Sequence, residues 1–171
     1  MRYIALWRGI NVGKAKRLAM TDLKALLAEM GATDVSTVLN SGNAVFTAKK
    51  KLTADKIRKA VAEQLGVDAA VILKTAAEWA HIAADQPIQE ADDPSRLIVA
   101  ITADAAALKA VEGILTGGDE RFVVTAHAAY LWCANGILES KAAVQLLKKL
   151  SEGGTTRNWA TVEKLNALAQ G

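Results

Sequence analysis

One ordering of elements occurs twice in this chain, and it constrains the fold more than any single residue does. Residues 3–7, Tyr-Ile-Ala-Leu-Trp, and residues 97–101, Leu-Ile-Val-Ala-Ile, are short apolar runs of the kind that form buried strands. After the first run, Leu23, Leu26, Leu27 and Met30 recur at helical spacing, with Thr21 as the expected N-cap and Gly31 as the stop. Strands are expected at 35–39 and 44–47 around Ser41-Gly42-Asn43. A helix capped by Thr53 then carries Ile57, Ala60, Val61 and Leu65 and stops at Gly66. A strand at 70–73 and a helix at 76–84 close the first half. The second half repeats the order, with a strand at 97–101 and a helix at 103–115 whose stripe is Leu108, Val111 and Leu115. Paired strands are expected at 122–125 and 130–133, and helices at 140–150 and 157–169.

Strand-helix-strand-strand-helix-strand is the split unit of the ferredoxin-like architecture. The sequence therefore predicts an α+β protein of two tandem ferredoxin-like subdomains with antiparallel sheets and a C-terminal helix. The expected division is a first subdomain at 1–84, a linker at 85–95 and a second subdomain at 96–171. The linker holds both prolines and four acids, so it is poor in helix and strand formers.

Matching Arg2-Tyr3-Ile4 to Arg96-Leu97-Ile98 offsets the halves by 94 residues, whereas matching Phe46 to Trp132 offsets them by 86. The first half is thus longer by 8 between its first strand and its hairpin, and the loop after residue 7 is the natural place for the excess. A long loop that the repeat does not need is a place to look for function.

Charge points to the same loop. The chain has 21 Lys and Arg against 18 Asp and Glu, a net +3. Arg2, Arg8, Lys14, Lys16 and Arg17 give residues 1–20 a charge of +5 with no acid, leaving −2 on the rest. A uniformly basic surface would suit nucleic acid in bulk, whereas a local patch suits a single anionic ligand equally well.

Three polar clusters stand at element ends. Arg8-Gly9-Ile10-Asn11-Val12-Gly13-Lys14 combines glycines, which let backbone N–H groups approach an anion, with two cations. It is neither a Walker A loop nor a dinucleotide fingerprint, because only three residues separate Gly9 from Gly13 and Ala15 follows Lys14. Asn40-Ser41-Gly42-Asn43 is, by itself, ordinary hairpin chemistry. Thr155-Thr156-Arg157-Asn158-Trp159 follows Gly153-Gly154 and reads as a capped helix start, where free N–H groups beside Arg157 would suit an anion.

The same clusters carry a resemblance. Trp7-Arg8-Gly9-Ile10-Asn11-Val12-Gly13-Lys14, Ser41-Gly42-Asn43-Ala44-Val45-Phe46 and Thr155-Thr156-Arg157-Asn158-Trp159-Ala160-Thr161 resemble, in order, the signature of the bacterial family known as domain of unknown function 1697. Trp7 stands where that family usually has Leu, and Lys14 where it usually has a second Gly. The resemblance implies a two-subdomain α+β fold related to the ferredoxin-like one. It implies no activity and supplies no catalytic residues.

Catalytic patterns are sparse. His81, His127 and the single Cys133 lack the paired spacings of a zinc site, and Cys133 lies in an apolar run as a small hydrophobe would. A Cys133–His127 pair would require the two to meet near one hairpin. There is no Gly-x-Ser-x-Gly elbow. Trp7, Trp132 and Trp159 are expected in the core, and no ladder of basic and aromatic residues marks a single-strand binder. No cofactor and no metal is expected. No apolar run approaches the roughly 20 residues of a membrane span, and no signal-peptide core opens the chain, so a cytoplasmic location without membrane contact is expected.

The leading expectation is an anionic, phosphorylated small-molecule or nucleotide ligand held in one cleft by Arg8, Asn11, Lys14, Ser41, Asn43, Arg157 and Asn158. The alternatives are a small enzyme on a phosphorylated substrate, for which no titratable base stands out, a nucleic-acid module using the basic loop, and a purely structural role for all three motifs.

Overall fold

The structure is a computed structural model describing residues 1–171. It contains two four-stranded antiparallel sheets with the same internal order, so the α+β expectation of tandem ferredoxin-like subdomains holds. The first unit comprises Met1–Ala77 and Ala167–Gly171, and the second Glu78–Asn166. Residues 85–95, expected as a linker, fall within the second unit.

The first unit runs β1 (Arg2–Trp7), α1 (Met20–Glu29), β2 (Ala32–Thr37), β3 (Asn43–Ala48), α2 (Ala54–Leu65) and β4 (Val71–Thr75). The sheet order is β2-β3-β1-β4, which places the apolar β1 between two partners. Tyr3 lies opposite Phe46 on one side and Thr75 on the other. Tyr3, Ala5, Trp7, Ala44 and Phe46 form the helix-facing core with Leu23, Leu26 and Leu27 of α1 and Ile57 and Val61 of α2. The Tyr3 and Phe46 rings lie 5.7 Å apart. Thr53 caps α2 as expected, its hydroxyl accepting from the Lys56 N–H at 3.2 Å, and Gly66 is the C-cap. Thr21 does not cap α1. The helix already begins at Met20, and its N-cap residue, Ala19, makes no side-chain capping hydrogen bond. In the same unit, Arg2 donates to the Leu168 carbonyl at 3.2 Å and Gln170 to the Ala76 carbonyl at 2.7 Å.

The chain continues through α3 (Ala76–Ala84), with the bounds read from the sequence. The second unit then has β5 (Leu97–Thr102), α4 (Ala105–Lys109), β6 (Arg121–Val124), β7 (Ala129–Trp132), α5 (Lys141–Leu150) and β8 (Gly154–Asn158), in sheet order β6-β7-β5-β8. Ile98, Ala100, Leu131 and Cys133 pack with Leu108, Val111, Ile114, Leu146 and Leu150. On the other face, the buried Tyr130 hydroxyl donates to the Ile82 carbonyl of α3 at 2.6 Å. The indole N–H of Trp79 donates to the Val162 carbonyl of the last helix, α6 (Trp159–Gln170), at 3.0 Å.

Two sequence expectations change here. The helix expected over 103–115 shortens to α4, because the following turns close on i→i−3 bonds and Gly113 takes φ +83°. Ile114 replaces Leu115 in the core, and Leu115 is exposed. The helix expected from residue 157 begins at Trp159, and residues 154–158 are the closing strand β8. That strand, Gly-Thr-Thr-Arg-Asn, has no apolar residue to signal it. It forms because its backbone pairs with β5, from Ile98–Asn158 to Thr102–Gly154. Trp159, expected in the core, is half-buried.

The repeat also aligns differently. Helix-facing side chains are Tyr3 and Phe46 in one unit and Ile98 and Leu131 in the other. Matching Tyr3 to Leu97 would put opposite faces in register, since a one-residue slip reverses every side chain. Matching Tyr3 to Ile98 instead also matches Thr75 to Asn158, each followed at once by a helix. In chain order, β1 to α3 and β5 to α6 are thus both strand-helix-strand-strand-helix-strand-helix. Between first strand and first helix, the first unit inserts residues 8–19 and the second only 103–104.

Candidate functional site

Residues 8–19 are the segment that the second unit does without. Their apolar members anchor them: Ile10 and Leu18 are buried. Between these anchors the chain makes a small hairpin, with a bridge between Val12 and Ala15 and the Asn11 N–H donating to the Lys16 carbonyl at 3.0 Å. Asn11 and Lys16 both adopt positive φ, +56° and +50°. Asn tolerates this conformation better than most residues.

Asn11 is the brace of the loop. Its amide nitrogen donates to the Leu18 carbonyl at 2.8 Å and the Asn40 carbonyl at 2.7 Å, and its amide oxygen accepts from the Leu18 N–H at 2.7 Å. The bond to Asn40 joins the first polar cluster to the second. Gly42 extends that junction. Its carbonyl accepts from the Trp7 N–H at 3.0 Å, and it takes φ +94°. A Cβ there would lie 2.6 Å from Ile10 Cδ1 and 2.9 Å from Trp7 Cβ, so only glycine fits. Asn43 is fully buried, its amide donating to the Val38 carbonyl at 2.8 Å and Ser41 Oγ at 3.2 Å. Asn43 therefore shapes the turn, and Ser41 is exposed at its tip.

Four cations, Arg8, Lys14, Lys16 and Arg17, belong to this braced segment. Arg8 is half-buried, and its backbone N–H donates to the Ala70 carbonyl at 3.0 Å. Lys14, Lys16 and Arg17 are exposed. Arg17 Nη1 donates to the carbonyls of Asn11 and Gly13 at 3.3 and 3.2 Å, which steadies its guanidinium against the loop. Asn11, Arg17, Leu18, Ala19, Asp22 and Asn40 line an open cavity of about 340 Å³. Sequence reasoning missed Arg17 and Asp22 as lining residues. The charge count of the first 20 residues already contained Arg17, but nothing in the order of residues showed that it would fold back beside Asn40.

The remaining two candidates belong to the second unit. Asn158 is the N-cap of α6, its Oδ1 accepting from the Thr161 N–H at 2.9 Å, so neither Thr155 nor Thr156 caps this helix. Arg157 lies in β8 opposite Val99, and its guanidinium donates to Thr155 Oγ1 at 3.1 Å and the Thr156 carbonyl at 2.8 Å. Burial lowers its pKa to about 10, which still leaves it charged at neutral pH.

The second unit has a cavity of its own, about 420 Å³, lined in part by Glu120, Glu139, Lys141, Asn135 and Gln145. Its two carboxylates disfavour an anion, so the smaller cavity beside the basic loop is the better candidate. His127 stacks on His81, with ring centroids 4.8 Å apart, and both are exposed. Cys133 is fully buried, and burial raises its thiol pKa, so it is a poor nucleophile. No group of three or more His, Cys, Asp or Glu is placed to hold a metal ion. No helix is long and apolar enough to cross a membrane.

Comparison with known proteins agrees with this architecture. The structure of a conserved bacterial protein, SP0830 from Streptococcus pneumoniae, is similar over 98% of this chain and 98% of that one, with a TM-score of 0.71 and 19% sequence identity. At that identity the likeness concerns the fold. No functionally curated protein matches the chain. The family described as protein of unknown function (DUF1697) matches residues 1–130, a span that contains the basic loop and the Ser41-Gly42-Asn43 turn. The chain belongs to the DUF1697 family.

Proposed function

We propose that the protein binds an anionic, phosphorylated small molecule at the loop 8–19 of its first unit. One observation carries the reading. A loop that the duplicated unit does not need is nonetheless internally braced, bears Arg8, Lys14, Lys16 and Arg17, and borders a cavity. Exposed charge on a slack loop would solubilise without selecting. Charge on a loop held by three Asn11 hydrogen bonds is positioned before a ligand arrives, which lowers the ordering cost of binding. Lys14 and Arg17 contact the anion, Arg8 adds charge behind them, and Asn11, Ser41 and Asn43 hold the shape.

A thermal-shift series with inorganic phosphate, sugar phosphates and nucleotides tests this. A ligand at 100 times its Kd stabilises the wild type by about 2.7 kcal/mol. The double variant Lys14→Ala/Arg17→Ala loses that stabilisation and keeps its unliganded melting temperature. No shift with any phosphorylated compound, or an equal shift in the double variant, removes the reading. Binding to DNA or RNA that weakens steeply with salt would favour a nucleic-acid module instead.

A further inference from the structure

We infer that the ligand of the first unit is a phosphorylated polyol, such as a sugar phosphate or the ribose phosphate of a nucleotide, with Asp22 as the acceptor for its hydroxyl groups. The inference rests on the anion-site reading above and adds the other end of the molecule. The cavity walls carry two opposite chemistries. Arg17 lines the cavity, with Nη1 committed to loop carbonyls while Nε and Nη2 meet no protein acceptor. Asp22, in the first turn of α1, lines it too, and its carboxylate makes no hydrogen bond and no ion pair within the protein. The side-chain amide of Asn40, also in the lining, has no partner either, because only its backbone carbonyl is used, by Asn11.

An ionised carboxylate is an acceptor only, and it repels a bare phosphate. A cavity meant for inorganic phosphate has no use for one. A ligand with an anionic group at one end and hydroxyl donors at the other satisfies all three: phosphate on Arg17 and Lys14, hydroxyls on Asp22, and a further hydroxyl or ring oxygen on Asn40. About 340 Å³ falls at the lower end of the usual range for small-molecule sites, with room beyond a phosphate group.

Calorimetric titration of the intact chain with inorganic phosphate and with ribose 5-phosphate, on wild type and Asp22→Asn, tests the assignment. In the wild type, ribose 5-phosphate is expected to bind at least about tenfold tighter than phosphate, the contribution of one hydrogen bond to a charged group. In Asp22→Asn that preference shrinks towards unity, while inorganic phosphate binds as well as before or better, because a like charge has gone. Equal affinity for the two ligands in the wild type, or an unchanged preference in Asp22→Asn, overturns the polyol assignment and leaves the anion site standing. Failure of both ligands to bind the wild type overturns the two together. Asp22 is exposed and unpaired, so Asp22→Asn is expected to fold, and an unchanged circular dichroism melt confirms it.

Discussion

Two residues at the junction of the basic loop and the hairpin show how few positions hold the candidate site. Asn11 spends its whole amide on Leu18 and Asn40. It is therefore a bracing residue, although its place in a cluster with Arg8 and Lys14 suggests a ligand contact. Gly42 is fixed by space and by backbone together. Gly42→Ala would set a methyl group against Ile10 and Trp7 at a φ that L-residues avoid. It is expected to cost about 2–4 kcal/mol, the combined scale of overpacking and left-handed strain. Urea unfolding reads this directly, and a loss below about 1 kcal/mol would mean that the loop moves aside freely.

At the scale of elements, caps and strand ends share residues. Asn158 closes β8 by pairing opposite Ile98 and starts α6 by accepting from the Thr161 N–H. Its backbone serves the sheet and its side chain serves the helix, so Asn158→Ala removes only the second function. The expected loss is about 1 kcal/mol, as for other N-caps, and Asn158→Asp is expected to retain most of the stability. Ser140 and Thr53 cap α5 and α2 in the same manner and supply internal comparisons. A thermal melt in which Asn158→Ala matches the wild type while Ser140→Ala does not would separate α6 from this rule. The elements easiest to read in the sequence were those with an apolar period, such as β1, β5, α2 and α5. The hardest were β8, which has none, and α4, whose helical pattern runs on past the point where the backbone leaves the helix.

For the whole molecule, acid sensitivity is spread over both units. Asp68 lies below the usual carboxylate range because the Arg58 guanidinium donates to it. Glu90 is lowered first by its own backbone N–H and then by Arg121, and Asp93 by the Ser95 hydroxyl and N–H. A carboxyl with a lowered native pKa contributes stability above its ordinary value, 3.8 for Asp and 4.5 for Glu, and that stability is lost as pH falls through the lowered value. Asp68 and Glu90 are exposed and Asp93 is half-buried at the surface, so the effect on each unit is small. The urea midpoint is expected to be flat from pH 7 to about 5 and to decline below about pH 4.5. In Arg58→Ala the part of that decline due to Asp68 disappears. A midpoint that rises on acidification would contradict these shifts.

The sequence by itself determined the duplicated strand-and-helix order, the apolar stripes and the concentration of +5 in the first 20 residues, because each depends on local periodicity or on counting. It also carried the resemblance to the DUF1697 family, whose model matches residues 1–130. The tertiary structure alone decided that Tyr3 and Ile98 each face the helices of their own unit, that a wholly polar run pairs as β8, and that Asn11 braces Asn40 across 29 positions of chain. Strand register and loop closure are set by backbone hydrogen bonds and contacts between distant residues, and these have no period along the chain. For the same reason Arg17 and Asp22 could be counted in the sequence but placed on one cavity only when the loop was folded.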